Sequence, residues 1–286
     1  MDTGKRQNKF RTRKLSKPVI LGGLYVFIGL NLIWTLLPVY WTLLTSLKTI
    51  QQMNVMPPLF VFTPTFANYI KILSGDALLT FRNSLVISIC SVAVGILVGF
   101  PAAYVLARVN FRARGHANFY ILSMRIAPAF AFLVPYYLTF RFLGLLDTYL
   151  AMVMVYTTIT LPFSVWMLES VFSEVPIEVE EAALVDGCTP TQVMMRIVAP
   201  LAAPSIAATA ILSFVFCWNE FFFALILTGE NTRTVPVMVT SLIGLMGVDW
   251  VKMSAAGILA IIPTIILALF AQKYLVRGLT MGAIKA

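Results

Sequence analysis

Few residues in this chain are equipped for chemistry, and they lie far apart. Glu220 follows Trp218 and Asn219 in one apolar stretch, and Arg125 sits inside another. An ionisable group within a membrane-length apolar run is by default a functional candidate, because hydrocarbon penalises a bare charge. Arg125, Trp218, Asn219 and Glu220 are therefore candidates for a polar path through the protein, with a packing contact as the alternative for Glu220. The single histidine, His116, stands in a short basic loop, and Cys90, Cys188 and Cys217 match no metal-ligand spacing. A metal centre or a His-activated nucleophile has nothing to build on, so no catalytic residue, metal or cofactor is expected. The chain also lacks a GxxxxGK[ST] loop, so it is not expected to cradle ATP phosphates itself.

The elements that hold these residues read as membrane helices. Hydrophobic residues make up 59% of the chain and charged ones 12%, about half the charge of a typical soluble domain. Six segments reach the roughly 20 apolar residues that a spanning helix needs: about 19–46, 82–107, 117–140, 148–168, 205–228 and 254–276. The first apolar stretch, from about Pro18 to Leu47, is far longer than a signal-peptide core of roughly 7–15 residues, so it reads as an uncleaved span. An all-α bundle of six transmembrane helices follows.

The basic excess, 21 Lys and Arg against 12 Asp and Glu, reads as topology. Lys5, Arg6, Lys9, Arg11, Arg13, Lys14 and Lys17 all precede the first span, and no nucleic-acid motif follows them. With the N-terminus inside, the inner segments carry fourteen cations and the outer ones six. That asymmetry predicts two cytoplasmic termini and a cytoplasmic 169–204 segment. Arg125 then lies about eight residues from the inner end of its span and Glu220 about sixteen. At 1.5 Å per residue their depths differ by roughly 12 Å, which rules against a direct pair unless a helix breaks.

The 169–204 segment is too long and too well punctuated to be a mere connection. Val175-Pro176 prepares a helix start, and Glu178, Glu180 and Glu181 suit the positive end of its dipole. Ala182, Ala183 and Leu184 favour helix, and Asp186-Gly187 supplies a stop. Thr189-Pro190 restarts a second helix, expected to run toward Ile197 and end before Pro200. A helix-turn-helix is the expectation.

This segment resembles the EAA loop of bacterial ABC importer permeases at Glu181, Ala182, Ala183, Gly187, Ile197, Pro200 and Pro204. Ala199 departs from it, standing where the family usually has Leu, and is expected to loosen the second helix. Trp218-Asn219-Glu220-Phe221, the tail from Gln272 to Lys285, and Ser123-Met124-Arg125 with Pro128 and Pro135 are similar to the carbohydrate, maltose-type branch. The likeness runs over about residues 15–286.

The resemblance implies a basic N-terminus over 1–17 and a type-1 transmembrane domain over 18–286, in the bacterial inner membrane and surrounded by lipid. It implies ATPase coupling through Glu181, Ala182, Ala183, Asp186 and Gly187. The implied partners are a second permease, normally forming a heterodimer, an ATPase homodimer that binds the ATP, and an extracytoplasmic sugar-binding protein. The substrate would be a carbohydrate or polyol, on which Trp218 and Phe221 to Phe223 could stack, unless they serve packing. The competing class is a cation-coupled carrier with Glu220 as relay. Such carriers often show inverted repeats and several midplane carboxylates, and neither is evident here.

Overall fold

A computed structural model describes residues 17–244 and 247–281. The basic residues before Lys17, and the end of the tail from Gly282 to Lys285, lie outside the described residues. In chain order the helices begin with α1 (Lys17–Ser46), α2 (Ile50–Met53), α3 (Ala67–Leu73) and α4 (Ala77–Arg108). Next come α5 (Arg114–Ile126), α6 (Ala129–Phe142), α7 (Tyr149–Glu174), α8 (Ile177–Val185) and α9 (Pro190–Val193). A π-helical turn at Met194–Val198 joins α9 to α10 (Ala199–Asn219), followed by α11 (Phe222–Leu227) and α12 (Val235–Ser241). A small antiparallel hairpin of β1 (Ile243–Gly244) and β2 (Gly247–Val248) precedes the last helix, α13 (Trp250–Met281).

Five helices are long and apolar enough to span a membrane, and the bent pair α5–α6 makes a sixth. The spans differ from the expected ones in two informative places. The third is not continuous: α5 and α6 meet at 90° across Ala127-Pro128. Ala127 takes an extended ψ of 131°, because the ring of a following proline disfavours the helical region for the residue before it. The fifth is broken too, since α10 ends at Asn219 and α11 begins at Phe222.

The bundle is organised around α4 and α7. A Cβ built on Gly95 would fall 2.5 Å from Thr160 Oγ1, and one on Gly99 would fall 3.1 Å from Ser164 Cβ. Small residues let the two backbones approach closely, which in a bilayer replaces the hydrophobic drive available in water. The Thr160 hydroxyl also donates to the Ser91 carbonyl at 3.1 Å. Two buried clusters result. One, with Tyr156, Trp218 and Leu227, lies toward the end where α7 starts. The other, with Phe100, Leu168 and Phe172, lies toward the end that carries α8.

The α1–α3 connection is fastened rather than loose. Asn68 donates to the Ser46 and Lys48 carbonyls, both at 2.9 Å. The Lys48 ammonium lies 5.2 Å from the ring centres of Trp41 and Phe62, a cation–π arrangement that compensates its burial. Phe60 and Phe66 remain exposed.

Candidate functional site

The segment after α7 is shorter and more ordered than its sequence suggested. α7 runs on to Glu174, so only residues 175–176 and 186–189 are non-helical between α7 and α9. Pro176 precedes α8, which carries Glu178 and Glu180 in its first turn. Glu180 is buried, unlike Glu181 beside it. Its carboxylate accepts from the Tyr104 hydroxyl at 2.7 Å and from Arg108 Nε at 2.7 Å. Arg108 Nη2 lies 2.6 Å from the same carboxylate and also donates to the Val175 carbonyl at 2.7 Å. Glu180 thus bolts the start of α8 to the end of α4. The sequence reading counted it only as a dipole partner and missed this role. The available signal was Ala183, three residues on and so on the same helical face, which is buried as well.

The opposite face of α8 carries the expected coupling residues. Glu181, Ala182, Asp186 and Gly187 are exposed, whereas Ala183 packs inward against the Phe100–Phe172 cluster. Gly187 closes the helix with φ +90°, a conformation that costs a side chain dearly. The Gly187 and Cys188 amides donate back to the Leu184 and Ala183 carbonyls at 3.1 and 3.0 Å. Thr189 then forms a reciprocal cap with Gln192, with Pro190 at the first helical position. The second helix does not stop before Pro200, contrary to expectation. Pro200 cannot donate to Arg196, and the π turn at Met194–Val198 widens the helix just ahead of it. The chain therefore passes into α10 as one helical run, Pro190–Asn219. Ala199 is half-buried against the Phe100–Phe172 cluster, at the seam of that run.

The two broken spans and α7 border a half-open cavity of about 430 Å³ lined by Arg125, Phe132, Thr158, Phe163, Phe216 and Glu220, among others. The Arg125 guanidinium lies 4.8 Å from the ring centre of Phe163 and 5.1 Å from that of Trp166. Among the described residues, no carboxylate pairs with it. Glu220 sits at the α10–α11 break in extended conformation. Its two carboxylate oxygens accept from the Phe223 and Ala224 amides at 2.9 and 3.2 Å, which satisfies donors that the start of α11 leaves free. Tyr156 donates to the Glu220 carbonyl at 3.3 Å, fixing the break against α7. Both helices break, so Arg125 and Glu220 share one cavity without pairing.

The other two path candidates are elsewhere. Trp218 is buried, stacks on Phe214 and donates from its indole to the Ala260 carbonyl at 3.0 Å. Asn219 donates to Val215 one turn back along its own helix. Neither lines the cavity, so the Trp218 ring serves packing. Of the neighbouring aromatics, Phe223 does line it.

At the far end of α7, Asp147 ties two connections together, a role the sequence reading did not assign. Its carboxylate accepts from the amides of Gly229, Asn231 and Thr232 and from the side chains of Asn231 and Thr232, at 2.7–3.1 Å. Burial alone would raise this carboxyl. The Thr232 hydroxyl and the three amides outweigh it and hold the group below its ordinary value. Asp147 has φ +57°, a left-handed conformation that Asp tolerates better than most residues.

Residues 92–281 match the family of binding-protein-dependent transport system inner membrane components. The chain belongs to this family. The permease is 38% identical to the probable ABC transporter permease protein y4oR of Sinorhizobium fredii, over 89% of this chain and 96% of that one. It is 36% identical to the sulfoquinovosyl glycerol transport system permease protein SmoH of Agrobacterium fabrum, over 91% and 93% of the two chains. It is 35% identical to the trehalose/maltose transport system permease protein MalG of Thermococcus litoralis, over 93% and 98%. Its fold is that of a crystallised bacterial ABC transporter involved in import of the acidic polysaccharide alginate, with TM-score 0.76 and 22% identity over 92% of this chain and 99% of that one. Membership makes the permease a multi-pass inner-membrane protein, and the carrier reading with Glu220 as relay has no support.

Proposed function

We propose that this permease is one half of the translocation path of an ATP-driven importer for a carbohydrate or polyol. A second permease completes the path, an extracytoplasmic binding protein delivers the substrate, and an ATPase homodimer holds and hydrolyses the ATP. The observation that carries this reading is the construction of α8. One face is bolted to α4 through Glu180, Tyr104 and Arg108, and the other leaves Glu181, Ala182, Asp186 and Gly187 exposed. Force applied to that exposed face is transmitted into α4 through an ion pair, and, past the Asp186–Thr189 turn, into α10 through the helical run Pro190–Asn219. A docked ATPase that closes on ATP would then rotate the attached spans as a rigid body, a two-state interface change.

In this reading α8 and both termini face the cytoplasm, in keeping with the cation asymmetry of the sequence. The names of the relatives support the sugar assignment, since SmoH and the Thermococcus permease are both described as sugar or sugar-conjugate systems. Arg125 and Glu220 line the path, and Trp218 and Asn219 support the break at Glu220. Gly187→Val is the direct test. The variant is expected to insert and assemble but to lose uptake, because a β-branched residue at φ +90° distorts the docking turn. Normal uptake by that variant would contradict the docking role.

A further inference from the structure

We propose that the segment between α1 and α3 lies in the membrane interface, with Phe60, Val61, Phe66 and Ile70 packed into lipid at the headgroup–acyl boundary. The leaflet is the one opposite α8, outer in the orientation given above. Lys48 and Lys71 bracket a run that holds no Asp, Glu, Lys, Arg or His. A soluble stretch of that length would carry about five charges. The exposed side chains are instead apolar: Phe60, Phe66 and Ile70 are each 66–67% exposed, and Val61 is 91% exposed. α3 is turned the same way, with Asn68 and Ile72 buried and Phe66, at its start, and Ile70 outward. A surface helix in water directs its polar side outward, so this one is built to face something other than water.

Hydrogen bonds hold that apolar surface in place. Thr49 and Gln52 cap α2 reciprocally, and Gln52 also donates to the Thr63 carbonyl at 3.3 Å. The Thr65 amide donates to the Leu47 carbonyl at 2.8 Å. α1 sets the depth. Its membrane-length part, the 26 residues Leu21–Ser46, has none of its apolar window buried in the bundle. At 1.5 Å per residue that part is about 39 Å long, some 9 Å more than the roughly 30 Å hydrocarbon core. Trp41, five residues before Ser46, therefore stands near the boundary, where tryptophan is favoured. Phe60 meets Trp41 edge-on with ring centres 5.8 Å apart. The chain has thus left α1 and folded back by roughly 8 Å to the depth of Trp41, within the roughly 5–10 Å to which interfacial segments sink. Lipid is the occupant these facts favour. The patch continues the outward side of α1, and a partner that docks and departs in each cycle would leave it bare in water between visits.

The test is site-directed spin labelling of the complete permease–ATPase complex in nanodiscs of phosphatidylethanolamine and phosphatidylglycerol, without and with the binding protein. Val61→Cys and Phe66→Cys carry the label in turn, in a background where Cys90, Cys188 and Cys217 are replaced by serine. Two sites keep the result independent of either substitution. Glu230→Cys, on an exposed connection, is the aqueous reference. Oxygen concentrates in the acyl layer and a polar nickel chelate in water. The oxygen-to-nickel accessibility ratio at residues 61 and 66 should exceed that at residue 230 by about threefold or more, as for a segment sunk to the acyl boundary. Saturating binding protein should leave it unchanged. A ratio equal to that at residue 230 puts the segment in water and overturns the proposal. Exclusion of both probes means that the second permease covers the patch, and loss of nickel access on adding the binding protein means that this protein does. Either overturns the lipid assignment. None of these outcomes bears on the importer reading, which uptake tests separately.

Discussion

Glu180→Ala isolates the joint on which the proposed mechanism depends. The substitution removes the acceptor for Tyr104 and for two nitrogens of Arg108, all within 2.7 Å. Arg108, whose side chain is only 13% exposed, is left as a nearly buried cation with the Val175 carbonyl as its remaining partner among the described residues. Breaking a buried ion pair from one side costs about 3–5 kcal/mol. Set against the attachment of α8 alone, 3 kcal/mol shifts the docked-to-detached equilibrium by on the order of a hundredfold. The bundle itself should survive, since the Gly95–Thr160 contact and the Tyr156–Trp218 cluster lie away from the joint. Reconstituted with its partners, E180A should hydrolyse ATP without matching uptake, so that sugar moved per ATP falls at least tenfold. A cycle with Arg108→Ala should give a coupling energy above about 1 kcal/mol, as contacting charged residues do. Wild-type stoichiometry in E180A, or strict additivity with R108A, would refute the reasoning.

Gly95→Val drives a branched side chain into Thr160, where even a Cβ would lie 2.5 Å from the hydroxyl oxygen. Overpacking of about 1–3 kcal/mol should appear as a lower Tm in detergent, whereas Gly187→Val meets nothing within 4 Å of a built Cβ, so any Tm loss there reflects only local backbone strain at φ +90°. Asp147 has a depressed carboxyl in the folded protein, so its contribution is complete above the unfolded value of about 3.9 and is lost as pH falls through the lower folded value. Wild-type Tm should therefore drop on acidification below about pH 4, and Asp147→Asn should show a lower Tm at neutral pH with a flatter acid limb.

Much of this architecture is written in the sequence. Span number follows from apolar length, and the Gly187 stop and the Thr189–Gln192 cap follow from residue chemistry that acts within four positions. The breaks were not legible for a physical reason. Pro101, Pro162, Pro204 and Pro263 sit inside unbroken helices, whereas Pro128 marks a 90° turn, so proline alone does not decide. At Glu220 no proline or glycine is present. That break is held by a carboxylate folding onto amides three and four residues ahead and by Tyr156 from another span. The same limit explains Glu180 and Asp147. Their partners lie 72–76 and 82–85 residues away, and only the folded bundle brings them together.

Coupling through the exposed face of α8 is the central claim, and a cysteine placed on that face tests it most directly. In a background with Cys90, Cys188 and Cys217 replaced by serine, Ala182→Cys should crosslink to a cysteine in the docking cleft of the ATPase subunit. The crosslink should block uptake, and reductant should restore it. Crosslinking yield should also change between the nucleotide-free and the ATP- and vanadate-trapped complex. Efficient uptake with residue 182 crosslinked, or no ATPase adduct in any nucleotide state, would contradict the account.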